Sequence, residues 1–365
     1  MRQMARTTAQ SPRSQTPPGG SPSDATSAVA RGSGPASGVA PGTGRLAFLD
    51  LLRVACVFYI VGLWHLQQYT RHHIVGGASG AAATVVVLSI FTLASGYLTH
   101  RRGWPASGRA YAVHRFVRLY PLFALAVVAY LALGIITARV AVLSLLLVSV
   151  LHGPAPLTLW YVVMLIDFEI VYLAVGALRS SPYLWVVVAG LAVGIALLYG
   201  VVGGVDHRFL IYAPSFVAGI LLARGDRDRA LLIGAAVLLP IGLLMSGRGG
   251  DAEYSVMSVP FALSSGCLIF FGARACYRGR PRLDATLRWL AYISFCMYLV
   301  HRPVYVALRH LYVPASAAGQ YLLLLTVGLA LVIVLAWVVQ SGYDRAVAAT
   351  GDALTRRRAA SGARD

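Results

Sequence analysis

Asp50, Arg53 and His65 stand in the first long apolar stretch of the chain, Asp50-Leu-Leu-Arg53-Val-Ala-Cys-Val-Phe-Tyr-Ile-Val-Gly-Leu-Trp-His65. Polar and titratable groups are expensive in such surroundings, so each is a functional candidate. Asp50 and Arg53 are at i and i+3, close enough to pair on one helical face. His65 follows Arg53 by twelve residues, about 18 Å along a helix axis. An imidazole there can move a proton near neutral pH, which suits a general base. A histidine satisfied at a membrane interface, between Trp64 and Tyr69, accounts for the same residue, and both readings stand.

Four further groups could carry chemistry. Arg115 and Arg118 share a face in His114-Arg115-Phe116-Val117-Arg118-Leu119-Tyr120-Pro121. Paired guanidiniums suit a phosphate-bearing ligand, although loop charge of the positive-inside kind explains arginines here too. Ser95-Gly96 near the end of the second apolar segment permits close helix approach, and Ser95 as a nucleophile needs a base that the sequence does not reveal. Trp160-Tyr161 opens a segment holding Asp167 and Glu169. Two carboxylates there require a polar interior or an arginine, and being two apart they point about 200° apart and cannot act as one acid/base pair. A structural ion pair is as good an account as catalysis. His301 lies deep enough in a later segment to line a cavity, or to serve as a hydrogen-bonded packing residue.

These residues need a scaffold, and composition names its class. Of 365 residues, 58% are hydrophobic and 12% charged, and the mean hydropathy is +0.70. That is about half the charged fraction of a soluble domain. Period-2 alternation in short segments is missing, which sets aside a membrane β-barrel. The expected fold is all-α, a polytopic membrane helix bundle. Net charge is +18, with 31 arginines and no lysine. The arginines concentrate in short loops and tails, which fits the positive-inside pattern better than nucleic-acid binding. Without lysine, Schiff-base chemistry is excluded. Cys56, Cys267, Cys276 and Cys296 form no C-x-x-C pair, so neither a disulfide framework nor a metal site is expected.

Residues 1–44 are rich in Ser, Pro, Gly, Thr and Ala and are expected to be a disordered cytoplasmic tail without a secretory h-region. Residues 45–341 form the membrane domain and 342–365 a cytoplasmic C-terminal tail. Apolar segments run over 48–69, 81–100, 117–136, 140–152, 158–178, 183–203, 209–223, 230–246, 255–277, 289–310 and 319–341. Placing every arginine-rich loop and both termini in the cytoplasm requires an even number of spans between them. Treating 140–152 as a short or re-entrant helix gives ten transmembrane helices; eleven is the competing count.

The motifs occur in a recognisable order. Asp-x-x-Arg with a following histidine leads to Phe-x-x-x-Ser-Gly-Tyr-Leu (91–98) and Arg-x-x-Arg-Leu-Tyr-Pro (115–121). Leu-Trp-Tyr (159–161), Phe-x-x-Gly-Ile-Leu-Leu-Ala (216–223) and Ile-Ser-x-x-x-Tyr-Leu-Val-His-x-Pro (293–303) complete the series. Over residues 46–341 the chain resembles the acyltransferase-3 family of integral membrane O-acyltransferases. The resemblance implies an acyl-CoA co-substrate, usually acetyl-CoA, taken from the cytoplasm, with no bound cofactor. It implies an acceptor hydroxyl on a cell-surface glycan, a lipid-linked sugar or a small molecule. The arginine-only, alanine-rich composition points to a bacterial plasma membrane. By the same resemblance His65 is the catalytic histidine, Arg53 its partner with Asp50 in the same motif, and Arg115, Arg118 and Tyr120 contact CoA. Ser95, Trp160, Tyr161, Glu169 and His301 are then candidates for the substrate cavity.

One spacing departs from the family. Ten residues usually separate the arginine from the histidine; here eleven intervene. A separation of eleven positions turns an α-helix about 20°, whereas twelve turns it about 120°. Either a π-bulge, with Gly62 a weak point for it, absorbs the extra residue, or the role of the arginine shifts. A transporter or flippase of a glycolipid, using the same cavity without acyl transfer, is the rival reading; no inverted repeat or paired broken helices favour it.

Overall fold

In the computed structural model the described residues are 46–71, 77–101, 103–104, 107–151, 153–177, 205–225, 227–246 and 255–362, with isolated positions 183 and 194. The N-terminal segment 1–44 and the apolar segment 183–203 therefore lie outside or almost outside them. Helix α1 covers Ala47–Tyr59 and continues as a π-helix, Ile60–His65, and a 3₁₀ turn, Leu66–Tyr69. Then follow α2 (Gly77–His100), α3 (Gly108–Ala132), α4 (Ala138–Leu145) and α5 (Trp160–Ala177). Helices α6 (His207–Arg224), α7 (Asp228–Ser246), α8 (Val259–Cys276) and α9 (Pro281–Leu311) come next. The last rod is α10 (Ala317–Leu323), a π segment (Leu324–Gly328) and α11 (Leu329–Gly362).

All described secondary structure is helical, as hydrocarbon demands of a spanning chain, because only an intra-segment ladder satisfies every backbone group. Eight helices are long and apolar enough to cross a membrane. Helix α4 is not one of them. Its eight residues rise about 12 Å against a hydrocarbon core of roughly 30 Å, so this helix is by itself too short to cross. The ten-span count then rests on α6, whose eighteen residues bury a face against α2, and on 183–203. The expected C-terminal tail begins as a helix continuous with the last span, since α11 runs on to Gly362.

Glycines set the tightest contact. A Cβ on Gly96 would run into the Phe216 carbonyl, and one on Gly219 into the Leu93 carbonyl and the Tyr97 amide. Helices α2 and α6 thus touch backbone to backbone, the geometry small residues permit in membranes.

The arginine-rich groups gather at one end. Phe48 and Leu52 of α1, Leu93 of α2, Leu222 of α6, Ala235 of α7 and Phe270 of α8 share one apolar cluster there. Arg274 pairs with Asp228 at 2.8 Å, tying the 224–229 and 274–288 loops. Tyr343 of α11 donates to the Val117 carbonyl of α3, and Tyr292 of α9 to Asp344 at 2.5 Å. His65 and His301 lie toward the other end, among the residues of the larger core cluster that runs through α1, α2, α5 and α9.

Candidate active site

The π-helix Ile60–His65 is where the chain accommodates its extra residue. Such a segment lacks one i→i−4 bond and leaves a carbonyl to be satisfied elsewhere. Tyr305 of α9 supplies the donor, its hydroxyl lying 3.1 Å from the Val61 carbonyl. The Tyr305 ring in turn packs over Gly328 of the second π segment. The bulge turns His65 inward, where it is 8% exposed.

There it meets His301, which is fully buried. His65 Nδ1 lies 2.9 Å from His301 Nε2, and the ring planes are 3° apart. His301 Nδ1 lies 2.8 Å from the Tyr298 carbonyl. A carbonyl only accepts, so His301 Nδ1 carries hydrogen and donates. With both rings neutral, His301 Nε2 is then an acceptor and His65 Nδ1 donates to it. His65 Nε2 is left with a lone pair, and no described residue bonds to it. This is the arrangement of a base held in one tautomer by a second group.

Two aromatic rings and a strained turn brace the pair. Tyr305 stands edge-on to His301 with centroids 6.0 Å apart, and Tyr298 lies 6.5 Å from His65. The Tyr298 hydroxyl donates to the Thr158 carbonyl at 2.6 Å. Thr158 has φ 61, in the left-handed region that a β-branched residue rarely adopts. Its side chain accepts from Arg302 Nε. Arg302 also donates from Nη2 to Gln68 at 2.7 Å and from Nη1 to Tyr69 at 3.3 Å.

Between this centre and the arginine-rich end lies a narrow apolar cavity of about 30 Å³, lined among others by Cys56, Ile60, Phe91, Tyr161, Phe295 and Tyr298. Tyr161 is fixed by Thr92 at 2.8 Å and stands edge-on to Tyr298 at 6.0 Å. Its neighbour Trp160 faces away from the pair: Arg208 lies 4.0 Å over its ring and Tyr212 stacks beside it.

A second polar cluster occupies the arginine-rich end. Arg115 pairs with Glu169 at 2.7 Å and donates to Tyr111 at 3.0 Å and Thr99 at 2.9 Å. Tyr111 also donates to Glu169 at 2.9 Å. The buried carboxylate of Glu169 thus has its arginine, whereas Asp167 Oδ2 is buried with no bonding partner among the described residues. His100, Tyr172 and Trp104 adjoin the cluster, with Trp104 stacked on Tyr172 at 4.5 Å.

The sequence-derived candidates therefore separate. His65 and His301 meet, and Tyr161 reaches them through Tyr298. Arg53 donates to Ser294 at 3.3 Å, seven residues before His301 on α9, so it braces the α1–α9 contact well before His65. Asp50 is buried in the first turn of α1, where a negative charge complements the helix dipole. Ser95 is half-buried beside the glycine packed on α6. Tyr120 donates to the Leu145 carbonyl at 2.7 Å, closing the free end of α4. Arg118 is exposed on α3. Residues that sequence reasoning passed over are Arg302, Thr158, Gln68, Tyr298 and Tyr305. Two of them carried a signal: Tyr298 is a fixed position of the 293–303 motif, and Arg302 is a charge inside an apolar segment next to His301.

Fold and centre together define a polytopic all-α membrane protein with an oriented histidine pair in its interior. The acyltransferase-3 family model, described as an acyltransferase domain, matches residues 46–340, and the chain belongs to that family. It is an acyltransferase and an integral membrane protein, which displaces the transporter reading. No curated protein and no solved structure matches the chain.

Proposed function

We propose that the protein moves an acyl group from acyl-CoA, with acetyl-CoA the expected donor, to a hydroxyl of a surface glycan, a lipid-linked sugar or a small molecule. In this reading His65 Nε2 takes the hydroxyl proton. The acceptor oxygen forms its bond to the thioester carbonyl, the C–S bond breaks, and CoA leaves as a thiolate. His301 holds the tautomer and shares the charge that His65 gains. The observation carrying this reading is the 2.9 Å contact between His65 Nδ1 and His301 Nε2, with His301 anchored on the Tyr298 carbonyl. The donor enters from the arginine-rich end, taken as cytoplasmic in a bacterial plasma membrane, with both termini on that side. Its phosphates meet exposed arginines such as Arg118, while Arg115 remains with Glu169.

Removal of a positioned base is expected to lower turnover by roughly 10² to 10⁴. The test is acyl-CoA-dependent acylation by purified His65→Ala protein, with monodispersity in detergent as the folding control. A well-folded variant with wild-type turnover would remove His65 from the mechanism. Donor alone should leave no acyl group on the protein; a trapped acyl-histidine would replace the base by an acyl carrier.

A further inference from the structure

Arg302 is 6% exposed inside a membrane helix, and none of its bonding partners is acidic. Its donors go to Thr158, Tyr69 and Gln68, all neutral. Other buried or partly buried arginines do have acidic partners: Arg115 pairs with Glu169 and Arg208 with Asp206. A buried charge without a counter-ion is strongly unfavourable, and proteins retain one where a ligand supplies the opposite charge.

The geometry says what kind of ligand. A guanidinium has five N–H donors, and the three bonds described use one at each nitrogen. One N–H remains on Nη1 and one on Nη2, the fork that matches a carboxylate's two oxygens. A second observation points to the same place. The Tyr130 hydroxyl of α3 is fully buried and finds no hydrogen-bond partner among the described residues. It lies within electrostatic reach of Arg302, Tyr298 and Tyr69. A buried hydroxyl left without a partner is a place where a ligand atom can complete the bonding, and its field reaches the Arg302 cation. The charge of Arg302 also reaches His65, so the anion would sit next to the reacting centre. Gln68, exposed on the 3₁₀ turn after His65, marks the way in.

We infer that Arg302, braced by Thr158, Gln68 and Tyr69 and completed by the Tyr130 hydroxyl, binds a carboxylate on one of the two substrates beside His65. The inference rests on the acyl-transfer reading. It makes Arg302, in the x position of the His-x-Pro motif, a specificity residue. The carboxylate belongs either to a hydroxy-acid acceptor or to a dicarboxylic acyl group on CoA.

The experiment compares cells carrying the full chain, no chain, Arg302→Gln or Tyr130→Phe, by mass spectrometry of envelope glycans and small metabolites. The expected result is a chain-dependent acylated product that bears a carboxylate. Loss of hydrogen bonds to a charged group predicts that Arg302→Gln lowers it roughly tenfold or more. Tyr130→Phe, which removes one oxygen and no charge, lowers it less and serves if Arg302→Gln fails to accumulate as monodisperse protein. A carboxylate in the acceptor half identifies a hydroxy acid; one in the acyl half identifies a dicarboxylic donor. A product neutral in both halves, or wild-type product levels in both variants, overturns the inference and leaves acyl transfer standing. No chain-dependent acylated product overturns both.

Discussion

His65 and His301 illustrate how little a single residue says about its job until its neighbours are known. Either could have been a satisfied packing histidine. The Tyr298 carbonyl sets the tautomers by placing hydrogen on His301 Nδ1, which passes the donor role to His65 Nδ1 and frees Nε2. His301→Phe keeps an aromatic ring but loses this bond. Its turnover is expected to fall between wild type and His65→Ala, with KM for acyl-CoA little changed; a wild-type kcat would deny His301 an orienting role. Arg115 and Glu169 give the complementary case. Their pair is partly exposed, 26% and 11% by side chain, so solvent screens it in part. Arg115→Ala strands the carboxylate and is expected to lower the melting temperature in detergent. Adding Glu169→Gln should restore much of the loss, because the stranded charge and not the missing bond is the larger penalty. A double variant less stable than Arg115→Ala alone would contradict that account.

At the scale of elements, the π segment is the piece that brings His65 against His301. Its Val61 carbonyl is held by Tyr305, so the bulge is fastened to the helix that brings His301. Deleting Gly62 should let α1 close as a plain α-helix with the family's spacing and retain measurable turnover. Inserting one alanine after Gly62 adds about 100° of rotation and should abolish it. Equal turnover in the two would show that the direction of His65 is set elsewhere. The Arg53–His65 spacing in the sequence signalled a bulge or a shifted arginine, because twelve positions do not return to one helix face; the structure has the π segment, and Arg53 donates to Ser294. What it could not signal was the fastening, since Tyr305 lies far along the chain.

At the scale of the molecule, the arginine-bearing loops converge at one end and the histidine pair sits toward the other. Acyl transfer from a cytoplasmic donor then requires the acyl group to pass the level of the apolar cavity lined by Cys56, Phe91 and Phe295. The orientation has a direct check. Of the four cysteines, Cys56, Cys267 and Cys296 are buried and Cys276 is exposed, beside Arg274 at the arginine-rich end. A membrane-impermeant maleimide should label Cys276 in inverted vesicles and not in right-side-out ones. The opposite pattern would place that end outside and reverse the proposed donor entry.

Composition alone determined that the chain is an all-helical membrane bundle, because apolar runs of this length leave a backbone no other way to satisfy itself. Motif order was enough to place it among the acyltransferases, and the 140–152 run, read as a short or re-entrant helix, holds only the C-terminal part of an eight-residue helix. The division of labour among the polar residues was decided only in three dimensions. Arg53 and Tyr120 belong to motifs yet brace helices, while Arg302, Thr158 and Gln68 come from three separate stretches of chain and meet next to the histidine pair. Side-chain direction at such a centre depends on a π-bulge, a left-handed turn at Thr158 and the crossing of α1 with α9. These are long-range packing outcomes, and local residue order does not encode them.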